Sequence, residues 1–247
     1  MQRLCVNDTK SNPVRAAIYV YNPDGSGGRL FARGLRNAEG LALVPARSIL
    51  WVVVNNRDDV PYPFNDASGN YGKGPDELRR RPSAGAVHQR EGRGNYGWPF
   101  CNSNPDTPSG LNFMPLDRDF DTNKNGAVNC GTMTKATKGI PAHSAPLGLT
   151  FLQRTRFPSY YRRGAMVALH GSWNRSTFQG GRIVYFPWDP SQRPGPQYPF
   201  VSGWLNGNNY WGRPVDTAVD STGALLISDD YERNHLSAVA DGDDTVN

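Results

Sequence analysis

The chain has 247 residues, with 27 Gly, 20 Pro, and 27 Lys or Arg against 22 Asp or Glu for a formal charge of +5. That length is ample for one sizeable core, no apolar run approaches the length of a membrane-spanning helix, and the turn-rich composition points to an all-β protein. The arginines are scattered among aromatics and prolines, which leaves little of the basic face a nucleic-acid binder needs and suits small anionic molecules better.

In chain order, the alternation Ala16-Ala17-Ile18-Tyr19-Val20-Tyr21 predicts a strand, and Asn22-Pro23-Asp24-Gly25 a turn before Arg29-Leu30-Phe31. Two strands follow, over 39–44 and 48–54, joined by a turn that contains Pro45 and ending in the polar run Asn55-Asn56-Arg57-Asp58-Asp59. Residues 61–94 read as an irregular excursion rich in Gly, Pro and Arg, and 102–139 as a second long loop. Four strands are then expected over 147–152, 164–171, 182–188 and 198–201. A final pair covers 215–219 and 224–230 around the turn Asp220-Ser221-Thr222-Gly223, and the pattern fades after residues 235–240.

The stretches that begin at Gly34-Leu35-Arg36-Asn37 and Trp211-Gly212-Arg213-Pro214-Val215 repeat one plan. Each runs through a strand, a short turn and a second apolar strand to an Asp-Asp ending, which is how a β-propeller blade is written. The count comes to roughly three to four blades, short of the roughly four to eight that close a ring. The expectation is a single partial β-propeller domain over 1–247 whose open edges favour association.

Of the three cysteines, Cys101 follows Asn95-Tyr96-Gly97-Trp98-Pro99-Phe100 and Cys130 closes the polar loop that begins near Asn102. A disulfide between them would staple this long insertion, implying an oxidising compartment and leaving Cys5 over. Met1-Gln2-Arg3-Leu4 offers neither a charged n-region nor an apolar h-region, so no signal peptide is visible and an upstream portion is expected to be missing.

Five motifs, in this order, resemble the glucose/sorbosone dehydrogenase family. They are Gly34-Leu35-Arg36-Asn37, Asn95-Tyr96-Gly97-Trp98-Pro99, His143-Ser144-Ala145-Pro146-Leu147-Gly148-Leu149, His170-Gly171-Ser172-Trp173-Asn174-Arg175 and Trp211-Gly212-Arg213-Pro214-Val215. The resemblance implies a secreted or periplasmic quinoprotein of the six-bladed propeller type that carries pyrroloquinoline quinone (PQQ) and calcium. It also implies oxidation of the aldehyde or anomeric carbon of a sugar, with electrons passed to an external acceptor such as a cytochrome or quinone.

PQQ has three carboxylates and an ortho-quinone, so its pocket needs cations for the carboxylates, donors for the quinone oxygens and a divalent ion to polarise the reacting carbonyl. By resemblance Arg36, Asn37 and Arg213 contact the cofactor and Trp211 covers its ring, although either arginine could instead merely tie neighbouring loops together. His170, at the end of an apolar strand, could donate to a quinone or carboxylate oxygen or be a satisfied core histidine; His143 could line the same mouth.

Calcium has two candidate places. Gly74 and Pro75 resemble a stretch whose backbone carbonyls bind the cofactor-associated ion in some family members, with different spacing and flanks. Residues 121–126, Asp-Thr-Asn-Lys-Asn-Gly, open like an EF-hand loop but place Thr132 where a bidentate Glu is wanted, which favours a polar turn or a weak structural calcium site over a sensor. None of His88, His143, His170 or His235 matches the family's early catalytic histidine, so little activity is expected of this chain alone. The alternatives are a non-catalytic propeller binding module that has lost the cofactor, and a lactonase-type propeller hydrolase, which would need converging acidic calcium ligands.

Overall fold

The computed structural model describes residues 13–58, 60–74, 85–89, 94–105, 107–153, 155–173, 176–191 and 193–231. In chain order the strands are β1 Ala17–Val20, β2 Arg29–Arg33, β3 Ala38–Leu43, β4 Leu50–Val54, β5 Gly85–Gln89, β6 Gly94–Asn95, β7 Cys101–Ser103, β8 Leu116–Arg118, β9 Lys138–Ile140, β10 Pro146–Phe151, β11 Gly164–Leu169, β12 Arg182–Pro187, β13 Tyr198–Val201, β14 Leu205–Asn206, β15 Asn209–Tyr210, β16 Pro214–Val219 and β17 Leu225–Asp229. Helical structure among the described residues amounts to two single 3-10 turns, Cys130–Thr132 and Tyr161–Arg163. No helix among these residues is long and apolar enough to cross a membrane. The chain forms two compact units, Met1–Ala38 with Val54–Ala142, and Glu39–Val53 with His143–Asn247.

The second unit is built on the antiparallel meander β10-β11-β12-β13. All six residues of β11 are buried, as are the four central residues of β12. Strands covered on both faces need an unbroken apolar run, which Ala165-Met166-Val167-Ala168-Leu169 and Ile183-Val184-Tyr185-Phe186 supply. Leu152, Met166, Ile183 and Tyr185 then pack with Trp204, Leu225 and Ile227, so the β16–β17 hairpin shares this core. Each such large side chain, once buried, contributes about 1.5–3 kcal/mol of transfer free energy. The four meander strands lie within two residues of their expected ends.

The innermost strand, β10, touches the β3–β4 hairpin on one side and β16 on the other, and a glycine stands at each contact. A Cβ on Gly40 would collide with the Leu147 carbonyl and lie 2.7 Å from Leu149 N. A Cβ on Gly148 would run into the Asp216 carboxylate and come within 2.5 Å of Asp216 Cα. The Thr150 hydroxyl adds a hydrogen bond to the Thr217 carbonyl across the second contact. Along β3 the side chains alternate, with Leu41 and Leu43 on the exposed side.

In the first unit β1 pairs antiparallel with β2, and β2 pairs parallel with β6 through Ala32 opposite Gly94 and Arg33 opposite Asn95. β7 and β8 form a hairpin and β5 pairs antiparallel with β9. The two segments expected to be loops therefore contain two short strands, β5 and β8, and overlap three more, β6, β7 and β9. Those strands are two to five residues long, too short for a period-2 pattern to rise above their Gly and polar content.

Cys101 and Cys130 are joined as expected, with Cα atoms 5.7 Å apart and a separation of 29 positions along the chain. A loop of that length gives about 3–4 kcal/mol in the chain-entropy account. Cys5 lies outside the described residues. Beneath the bridge sits Asp119, fully buried, whose Oδ2 accepts from Arg57 Nη1 at 2.6 Å and Asn102 Nδ2 at 2.8 Å. Its Oδ1 accepts from the backbone N–H groups of Asp121 and Thr122 at 3.0 and 2.9 Å. Burial pushes this carboxyl up, but the Thr122 amide, the Asn102 side chain, the Arg57 charge and the Asp121 amide together outweigh it and hold it below the usual carboxylate value.

Two consequences can be measured. Gly148→Ala should lower the urea unfolding midpoint, by about 1–3 kcal/mol for an overpacked contact that backbone cannot easily yield; an unchanged midpoint would mean that β10 and β16 do not touch. Asp119→Asn should cost about 3 kcal/mol near neutral pH by leaving Arg57 without its buried partner. Because the folded carboxyl lies below its unfolded value, this stabilisation is complete above about pH 4 and disappears as the pH falls through the folded value. The gap between wild type and variant should therefore close on acidification, and a pH-independent gap would contradict the assignment.

Candidate cofactor site

Three of the five motifs meet in the second unit, at the end of the meander where β10 and β12 begin and β11 finishes. His143-Ser144-Ala145 runs beside His170-Gly171, with His170 N donating to Ala145 O at 3.0 Å and Gly171 N to Ser144 O at 2.9 Å. His143 and Ala145 both hold left-handed backbone, φ 57° and 46°, a conformation that non-glycine residues keep only where the surroundings over-determine it.

Arg213 enters from the segment before β16 and donates to three successive carbonyls. Nε reaches His170 O at 3.1 Å, and Nη2 reaches Gly171 O at 2.6 Å and Ser172 O at 3.5 Å. Its guanidinium carbon stands 4.9 Å from the centre of the Tyr210 ring, whose hydroxyl donates to Gln179 O at 2.6 Å. The Tyr210 hydroxyl occupies the place a side chain at position 171 would need, and Gly171 has φ 102°, so glycine is required there on two counts. The loop-tying role weighed for Arg213 is thus the one its Nε and Nη2 perform. Its Nη1 has no hydrogen-bond partner among the described residues.

His170 is half-buried and its Nε2 lies 2.8 Å from Asp230 Oδ1. It is not a core histidine. With Nε2–H given to the carboxylate, the neutral ring keeps only an acceptor at Nδ1, so donation to a ligand oxygen would require the imidazolium. Asp230 was legible only as half of the repeated Asp-Asp ending. The other half, Asp229, is buried, takes the Tyr231 N–H at 2.9 Å on Oδ1, and leaves Oδ2 without a partner. The buried Trp204 Nε1 is also without one, and both atoms border Gly212. Trp211 lies stacked at 6.1 Å on Trp204, tied by Nε1 to Gly203 O at 2.6 Å and with half its surface open; Trp173 is more exposed still.

The other two motifs meet in the first unit. Trp98 N donates to Gly34 O at 3.0 Å and Tyr96 N to Arg33 O at 2.9 Å, joining Gly34-Leu35-Arg36-Asn37 to Asn95-Tyr96-Gly97-Trp98. Arg36, exposed, donates Nη1 to Asn55 O and Asn56 O at 3.1 Å each, 5.7 Å from the Trp98 ring. Asn37, also exposed, accepts the Asn55 N–H on its carbonyl at 2.9 Å.

Of the calcium candidates, Gly74 is described, with open space where a side chain would be, and Pro75 lies outside the described residues. In the EF-hand-like stretch Asp121 pairs with Arg57 at 3.2 Å, and Asn123 binds both the N–H and the carbonyl of Val128. Those side chains serve a polar turn. The side chain of His88 and all of His235 lie outside the described residues.

Among solved structures the chain is similar to the calcium structure of Trichoderma reesei Carbohydrate-Active Enzymes Family AA12, with TM-score 0.59 and 22% identity over 82% of this chain and 51% of that one. It is also similar to the holo form of the pyranose dehydrogenase PQQ domain from Coprinopsis cinerea, with TM-score 0.64 and 22% identity over 91% of this chain and 61% of that one. An uncharacterized protein of Borreliella burgdorferi is 38% identical over 94 residues, 37% of this chain and 25% of that one. The chain therefore spans about half to six-tenths of those solved structures and a quarter of the Borreliella protein. The likeness shows an all-β fold of the propeller kind found in sugar dehydrogenases. The family model described as TrAA12-like matches residues 8–239, nearly the whole chain, which bears out the resemblance carried by the five motifs: the chain belongs to the TrAA12-like family.

Proposed function

We propose that this chain forms part of a PQQ- and calcium-dependent oxidoreductase that oxidises the aldehyde or anomeric carbon of a sugar and passes electrons to an external cytochrome or quinone. On this reading residues 1–247 are one partial propeller domain of roughly three to four blades. It acts in a periplasmic or secreted setting, to which the Cys101–Cys130 disulfide is suited. The observation that carries the reading is the convergence of His143–Ala145, His170–Ser172 and Trp211–Arg213 at one end of the meander.

The donor set there fits a flat polyanion. Arg213 is fixed by three carbonyls yet keeps Nη1 for a carboxylate, Trp211 and Trp173 offer open ring faces, and the orphaned Asp229 Oδ2 supplies negative charge of the kind that accompanies a divalent cation. Arg213, Trp211 and His170 would hold the cofactor in this unit, and Arg36, Asn37, Gly74 and Pro75 are the residues that the family resemblance assigns to the cofactor and to calcium. PQQ when bound supplies a two-electron acceptor. The protein's own part is to orient it: the nested guanidinium sets the position of one carboxylate, and Asp230 fixes the His170 ring with Nδ1 as a proton acceptor.

Titrating the whole chain with PQQ and calcium, followed by cofactor absorbance, should give saturable binding. Arg213→Ala should weaken it about ten- to hundred-fold, the worth of one charge-assisted hydrogen bond. Equal binding by wild type and variant would move the site elsewhere. Failure of the intact, folded chain to bind PQQ would favour the non-catalytic module.

A further inference from the structure

A cleft of about 390 Å3 opens in the second unit at the end of the meander away from His170 and Arg213, where β10 finishes at Phe151 and β11 begins at Gly164. Its base is aromatic. The Trp188 ring is held edge-on between Trp51 at 4.8 Å and Phe151 at 5.1 Å, and its backbone is pinned by Trp188 N donating to Arg163 O at 2.7 Å. Arg47, Arg162 and Arg163 stand around it, against Asp189 as the one carboxylate of the lining. Asp189 Oδ1 is already committed to the Arg193 N–H at 2.8 Å, and Arg162 Nε donates to Phe157 O at 3.3 Å. The Arg47 and Arg163 guanidiniums have no hydrogen-bond or ion-pair partner among the described residues. Arg47 is carried on a turn in which Ala46 holds φ 58°, a strained conformation for a residue with a side chain.

Lone surface arginines mean little, but two unpaired guanidiniums in one cleft with the Trp188 and Phe151 rings make a recognisable chemistry. A planar guanidinium matches a carboxylate with two parallel N–H donors, and an indole face accepts the apolar C–H face of a pyranose ring. The volume lies at the small end of the roughly 300–1,000 Å3 of ligand pockets, enough for one or two sugar rings rather than a chain. We propose that this cleft is a second binding site, for a carboxylate-bearing sugar unit of the uronic acid type, separate from the rim that carries the cofactor reading.

Digalacturonate titrated into the whole chain at low salt, read by tryptophan fluorescence and by calorimetry, should bind saturably and about tenfold or more tighter than neutral cellobiose. The double variant Arg47→Ala with Arg163→Ala, and separately Arg163→Glu, should weaken binding about tenfold or more while keeping the wild-type melting temperature and far-ultraviolet spectrum. PQQ titration of the same variants should be unchanged, which separates failure at this cleft from failure at the rim. Absence of digalacturonate binding, equal binding by the double variant, or equal affinity for cellobiose would each overturn the proposal.

Discussion

Everything in the second unit follows from how closely β10 can approach its neighbours. Backbone meets backbone at Gly40 and at Gly148, and a methyl group at either position has nowhere to go. The approach registers β3, β10 and β16 side by side, so the loops that precede β10 and β16 and follow β11 must gather at one end. Arg213 can reach the carbonyls of residues 170–172 only because the strands beneath are set this way. Large side chains take over farther out: Met166, Ile183, Tyr185, Trp204 and Leu225 fill the space that the glycines do not. Tight backbone contact at Gly40 and Gly148 and bulky packing around Met166 and Ile183 are the two kinds of contact that hold the strands of this unit together.

Strands with both faces covered were easy to find. Residues 164–169 and 182–187 leave a continuous apolar run that no turn interrupts, and their ends match the expectation closely. The short pairings of the first unit were not, because β6 and β7 rest on tertiary context rather than on pattern. The pair Gly94-Asn95 becomes a strand only because β2 is there to receive it in parallel. Gly40 and Gly148 occupy matching places in Glu39-Gly40-Leu41 and Leu147-Gly148-Leu149, a signal present in the sequence that alternation of polar and apolar residues does not weigh.

The candidate site was legible in its residue types and order but not in its bonding. Arg213 and His170 stood out as polar groups at strand ends, and they do lie together. That Arg213 spends most of its donors on backbone, and that Asp230 takes the His170 Nε2 side, depends on loop paths that no local spacing encodes. Asp229 is the clearest omission: buried, half-satisfied and beneath the rim, it read in the sequence only as a strand ending.

The six tryptophans provide a direct probe, since each indole N–H gives its own signal in a nitrogen-15 spectrum. Trp211 and Trp173 lie at the rim, whereas Trp51 and Trp188 pack at the far end of the meander. Addition of PQQ with calcium should shift the Trp211 and Trp173 signals saturably and leave those of Trp51 and Trp188 in place. Shifts confined to Trp51 and Trp188, or no saturable shift at all, would contradict a cofactor site built on Arg213.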